Sequence, residues 1–331
     1  HRCDGSGADI TGRAGSPAET LAAVLESFES LLPVFAVIVL GVILRRKLVT
    51  DPALWLGAER LGFWVLFPSL LAETLINADL KSGQVGTLAL VFFVAAIVHG
   101  LVILALKPVL IRFLDMDIPA YSTIYQVATR WNGFVALAIV EKLYGDSGVS
   151  LVAVVLAVMV PVVNLQNVTI VTLLLADQRP SVGRLARSVF TNPLILGCSI
   201  GLAINLLSVP VYQPVLTVLE ILGGAALGVG LILVGTGLQL RSTLKPSLDV
   251  WTGVGLKLAL FPALVAALAF AFGLSGNELT IAIICASVPT AMNGYLLAKE
   301  LGGDAPLYAA VVAIQTIVSF ISIPLFLTLV S

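Results

Sequence analysis

Apolar runs as long as a bilayer is thick follow one another along this chain, and that property restricts the solvent it can fold in. A helix needs roughly 20 apolar residues to cross a hydrocarbon core of about 30 Å. Runs of that order occupy residues 28–46, 55–76, 85–107, 119–144, 149–175, 189–208, 213–240, 249–273, 278–299 and 305–330. Lipid offers no hydrogen bonds, so the backbone must satisfy itself and these runs are read as helices. The 331 residues are 59% hydrophobic and 11% charged, against about 25% charge in soluble domains. An all-α polytopic membrane protein is expected. The net charge of −1 argues against a nucleic-acid partner. Cys3, Cys198 and Cys285 are scattered and His99 stands alone, so no disulfide framework, metal site or cofactor is expected. No nucleotide-binding signature, nucleophile elbow or catalytic His constellation is present, which speaks against an enzyme and against an ATP motor.

Orientation follows the basic residues. With the N-terminus outside, 12 Lys and Arg fall in inside loops, and Lys81 and Lys142 lie outside once the tail's Arg2 and Arg13 are set apart. Both termini are therefore expected on the extracytoplasmic side of the cell membrane. Ten spans with both ends on one side allow two five-span halves of opposite orientation. Leu32-Pro33 with Gly41 is echoed 160 residues on by Asn192-Pro193 with Gly201. Asn132-Gly133-Phe134 is echoed 161 on by Asn293-Gly294-Tyr295, and Gly145-Asp146 is echoed 158 on by Gly303-Asp304. These pairs suggest an inverted repeat. The expected division is a disordered extension over 1–26, a first repeat over 27–176, a cytoplasmic linker over 177–188 and a second repeat over 189–331. Ser16-Pro17-Ala18-Glu19 has the form of a capping box opening a short helix.

One segment breaks the apolar rule. Between Ala286 and Asp304, Pro289 and the Asn293-Gly294 pair interrupt a span. Proline has no N–H, which frees the carbonyl of Cys285, and such a group in hydrocarbon must find water, protein or ligand. Broken backbone at that depth lines cavities in secondary carriers. Arg130, near the middle of its own span, adds a charge that costs roughly 2.5–3.5 kcal/mol to insert and so faces a cavity or partner. A guanidinium suits a carboxylate, and the alternative is that it serves broken-helix carbonyls. Asn132 and Asn293 are equally suited to substrate oxygens and to helix capping. Thr290 reads first as a backbone partner. Asn164, Gln166, Asn167 and Gln315 read as interhelical glue. Glu59 and Glu220, 161 apart, suit helix-start dipoles, with Glu220 also a proton-coupling candidate. Glu73 is another, and so is Lys257, which either snorkels or holds an interior charge partner. Gly197/Gly201 and Gly224/Gly228 are small pairs for close helix packing.

Leu32-Pro-Val-Phe-Ala-Val-Ile-Val-Leu-Gly41 with Arg45-Arg46, Arg130-Trp-Asn-Gly-Phe134 and Asn192-Pro-Leu-Ile-Leu-Gly197 resemble the auxin efflux carrier family. Leu256-Lys-Leu-Ala-Leu-Phe-Pro262 and Pro289-Thr-Ala-Met-Asn-Gly-Tyr295, with Lys299 and Gly303-Asp304, extend the likeness over residues 26–330. Members begin near the equivalent of Phe28, so the first two dozen residues are not expected to be native. The resemblance implies ten transmembrane helices in two inverted five-helix repeats, with broken helices 4 and 9 crossing at the substrate. By position it puts the substrate at Arg130, Asn132, Gly133, Pro289, Thr290 and Asn293. The fourth span departs from the family pattern in having no proline at its break. The expected function is secondary transport of a small organic anion, with efflux favoured, by alternating access. Expected partners are that anion, H+ or Na+ as coupling ion, the bilayer and a second copy of the chain. A channel or membrane sensor on the same fold is the alternative.

Overall fold

The computed structural model describes residues 17–78, 84–175, 190–238 and 246–330, together with the isolated positions Gly183 and Arg187. The expectations for the tail through residue 16, capping Ser16 included, and for most of the 177–188 linker lie outside these residues. Within them the chain is all-helical. Its helices are α1 Pro17–Ile43, α2 Pro52–Leu61, α3 Phe67–Asn77, α4 Val85–Phe113, α5 Ile118–Thr129, α6 Gly133–Leu175 and α7 Pro193–Leu206. Then come α8 Gln213–Gly237, α9 Leu248–Gly255, α10 Phe261–Ala271, α11 Gly276–Ser287, α12 Gly294–Leu301 and α13 Ala305–Val330. The short helix expected to open at Pro17 is the start of α1, so residues 17–26 of the extension are helical rather than disordered.

Helix starts follow local chemistry. The Asp51 carboxylate accepts from the Ala53 N–H at 2.9 Å and the Asn192 amide oxygen from the Leu194 N–H at 2.9 Å, each just before a proline. Asp117 does the same for the Ala120 N–H at 2.8 Å. Proline at the first turn gives up an N–H that has no intrahelical partner there. Two wide π-helical turns, Gly62–Leu66 and Leu256–Leu260, directly precede Phe67-Pro68 and Phe261-Pro262. Each proline withholds an N–H from the turn before it, and the helix relaxes by widening.

Five stretches among the described residues are long and apolar enough to cross a membrane: Val85–Phe113, Ile118–Leu175, Gln213–Gly237, Leu248–Ala271 and Ala305–Leu327. Ile118–Leu175 holds 58 residues. At about 1.5 Å per residue it far exceeds one crossing of about 30 Å. It folds back at Gly145, whose φ of 60° and ψ of −153° suit glycine alone. Pro193–Leu206 and Gly276–Ser287 are shorter apolar helices. The exterior is as apolar as the core: Leu101, Ile221, Phe270 and Ile321 are all exposed, while Arg130, Lys257, Gln126 and Thr290 are buried. That inside-out distribution belongs to a multi-pass membrane protein.

Two packed groups emerge. In the first, α1 packs on α8, and α3 packs on both α7 and α8. Backbones touch there: a Cβ at Gly41 would meet the Ile232 carbonyl oxygen at 2.2 Å, and one at Gly235 the Ile38 oxygen at 1.9 Å. Gly197 and Gly201 bring α7 as close to Pro68 and Ala72 of α3, the role expected of that pair. Gly224 and Gly228 do not share it, because they face outward with nothing of the chain within 4 Å. The second group packs α4, α5 and α6 with α9 to α13. Where the groups meet, Phe67 of α3 stacks on Phe134 of α6 with ring centroids 3.7 Å apart.

Candidate functional site

The second group is organised around two interruptions. Helix α5 ends at Thr129 and α6 starts at Gly133; α11 ends at Ser287 and α12 starts at Gly294. The two gaps touch. The Asn132 N–H donates to the Pro289 carbonyl at 2.8 Å. The Thr290 hydroxyl donates to the Val127 carbonyl and lies 3.1 Å from that of Arg130. Orphan carbonyls at the end of α5 are thus served by a residue 160 positions away. Gln315 of α13 completes the joint: its Oε1 accepts from the Thr290 N–H at 3.0 Å, and its Nε2 donates to Gly253 at 3.0 Å and Val127 at 3.3 Å. The α5–α6 span is therefore broken without a proline of its own.

Arg130 is buried at the joint. Its Nη1 lies 3.4 Å from the amide oxygens of Asn164 and Asn293, while Nε has no hydrogen-bond partner. Charge-assisted bonds run to about 2.7–2.9 Å, so these two are long, and a guanidinium has five donors. Its charge is not neutralised by amides. It does not serve the broken-helix carbonyls; Thr290 does that. Gln126, one turn earlier on α5, is fully buried with neither amide atom partnered, and i, i+4 spacing puts it on Arg130's side of the helix.

The two asparagines separate. Asn132 is buried and its side chain accepts from the Val135 N–H at 3.3 Å, capping α6. Asn293 is exposed, makes no cap bond, and offers its oxygen to Arg130. The following glycines allow close approach: a Cβ at Gly133 would meet Leu156 Cδ2 at 2.7 Å, and one at Gly294 the Tyr308 hydroxyl at 2.4 Å and its ring at 2.7 Å. Tyr308, which the sequence did not single out, donates to the Ala291 carbonyl at 2.6 Å and so holds the second gap.

Of the sequence's site residues, Arg130, Asn132, Gly133, Pro289, Thr290 and Asn293 come together. Asn164, read as interhelical glue, joins them. Asn167 does act as glue, donating to the Thr129 hydroxyl at 3.0 Å. The coupling candidates lie elsewhere. Glu73 accepts from Asn77 at 2.7 Å, and Glu220 is exposed on α8. Neither Glu59 nor Glu220 is in a first helical turn, so the helix-start role fails, since the dipole's field decays within that turn. Lys257 does not snorkel: it is fully buried, its ammonium position 4.3 Å from the Phe261 ring centre. Signals for Gln126 and Tyr308 were weak, since a lone Gln or Tyr in a span reads as packing.

A multi-pass helical chain with such a joint is built as membrane transporters are, and comparison with known proteins agrees. Residues 179–327 match the family model described as membrane transport protein, which bears out the family resemblance seen in the sequence. An "uncharacterized transporter" of Methanothermobacter thermautotrophicus is 26% identical over 302 residues, covering 90% of this chain and 97% of that one. These likenesses support a membrane transporter.

Proposed function

We propose that this transporter is a secondary carrier of small organic anions, carboxylates above all, and that it works by alternating access. The observation that carries this is the buried Arg130 guanidinium at the joint of two broken helices, bonded only to neutral amides. A carboxylate there gains charge-assisted bonds from Arg130, each contributing about 1.5–3 kcal/mol. It also faces the start of α12, which Asn293 leaves uncapped, and a helix N-terminus attracts anions by roughly 0.3–2 kcal/mol. Asn293 contributes amide contacts, and Pro289 and Thr290 hold the gap open. Asn132 and Gly133 shape the opposite wall.

The surrounding fold is read as ten crossings in two inverted repeats, with both termini outside the cell membrane. The group α1, α3, α7, α8 serves as the rigid frame, because its backbones are in contact. The second group moves against it across smoother contacts such as Phe67–Phe134, carrying the joint from one side to the other. An inside-negative potential drives a monovalent anion that moves alone outward by about 2.3 kcal/mol per 100 mV, and a proton moving with it cancels that drive.

The test is flux of labelled malonate, succinate and indole-3-acetate in proteoliposomes at imposed potentials, alongside thermal-shift binding. Wild type should move and bind at least one. Arg130→Ala should lower flux by about 10- to 100-fold, and Arg130→Lys by less, since it keeps the charge but loses the fork. Equal flux in wild type and Arg130→Ala would defeat the reading.

A further inference from the structure

Lys257 is the most deeply buried charge-bearing side chain among the described residues and one the joint does not use. It is fully buried, in the π-helical turn Leu256–Leu260, and its Nζ has no hydrogen-bond partner. Its ammonium lies 4.3 Å from the centre of the Phe261 ring, and that ring meets buried His99 at 4.9 Å between centroids. Cation–π attraction is a fraction of the cost of burying an unpaired ammonium. Leu or Met would fill the space without that cost, so packing alone does not account for a lysine here.

Its position relative to the joint gives it a use. The π turn packs against both α5 and α11. His99 Nε2 lies 3.2 Å from the Ala128 carbonyl, two residues before Arg130. Cys285, buried near the end of α11, lies four residues before Pro289. A proton on Nζ thus places a full charge in the turn that packs against both half-helices. On the elements packed around the turn, the other titratable or charged side chains are few. They are Asp249 on α9, His99, Lys107 and Arg112 on α4, Tyr121 and Tyr125 on α5, Glu278 and Cys285 on α11, and Tyr308 on α13; α10 has none. The acids Asp249 and Glu278 are about two turns from Lys257 and Cys285 respectively, at helix starts.

We infer that Lys257 is the carrier's proton-binding site, loaded when α9 and α10 part from α5 and α11 enough to admit water and unloaded as they close. The step is the transfer of one proton from water to the Nζ lone pair and back. It couples to the anion because the same turn packs against both broken helices. This rests on the carrier reading above.

The experiment uses the full chain in proteoliposomes with trapped pyranine, malonate, succinate and indole-3-acetate as probes, and an imposed pH gradient. In wild type, protons should move with the anion, and about one pH unit should shift its accumulation about tenfold. Lys257→Met should keep thermal-shift binding and counterflow exchange but lose the response to the gradient. Lys257→Arg, permanently charged, should lose it as well, which keeps the test decisive if the Met variant fails to fold. Wild-type flux without proton movement, or a Lys257→Met or Lys257→Arg response equal to wild type, overturns the proton site and leaves the carrier reading intact. A wild type that neither binds nor moves any of the three removes both.

Discussion

The two interruptions share an Asn-Gly pair, 161 residues apart, and are opposites in construction. The α5–α6 gap is short and closed: its asparagine caps its own helix, its backbone N–H is taken by Pro289, and its carbonyls are met by Thr290. The α11–α12 gap is longer. Its first part, through Thr290, is buried and pinned by Gln315, Ala291 and Met292 are half-buried, and Asn293 is exposed. One gap supplies the cation and the other supplies an uncapped helix start. A shared Asn-Gly pair therefore does not impose a shared role: its asparagine caps a helix in one gap and is exposed beside Arg130 in the other.

That contrast can be broken most sharply at Arg130, where Arg130→Ala should cost the most flux. Next, Thr290→Val removes the hydroxyl that joins the gaps, leaving buried carbonyls unmet; stability should drop about 2–3 kcal/mol, read as lowered thermal stability in detergent. If the melt is unchanged, the gaps are not held together by this residue. The glycines sharpen the comparison. Gly294→Ala drives a methyl into the rigid Tyr308 ring and should cost about 1–3 kcal/mol. Gly133→Ala meets only the end of a flexible leucine and should cost less; the reverse order of melting points contradicts the geometry. Smallest is the asparagine pair. Asn132→Ala should lose about 1 kcal/mol as a lost cap. Asn293→Ala should leave the melt alone and weaken carboxylate binding instead. Matching effects on stability would erase the distinction between the two gaps.

Much of the architecture was legible in advance. Apolar length marked the helices, and the gap between the runs 119–144 and 149–175 marked the place where the chain turns at Gly145. The Pro289 break was visible because a missing N–H is a property of one residue. The break at Arg130–Asn132 was half visible: an Asn-Gly pair permits an interruption but does not impose one.

What residue order alone determined is the membrane environment, the all-helical class and the one proline-driven gap, because these depend on local backbone chemistry and on transfer from water to lipid. Tertiary structure alone decided that Arg130 meets Asn164 and Asn293, that Thr290 and Gln315 tie the gaps, and that Lys257 is sealed rather than snorkelled. Those outcomes depend on which buried donors find which orphan acceptors across separations of 25 to 188 residues. In hydrocarbon each unmatched group is costly, so the partners, and not the local propensities, settle where a helix stops.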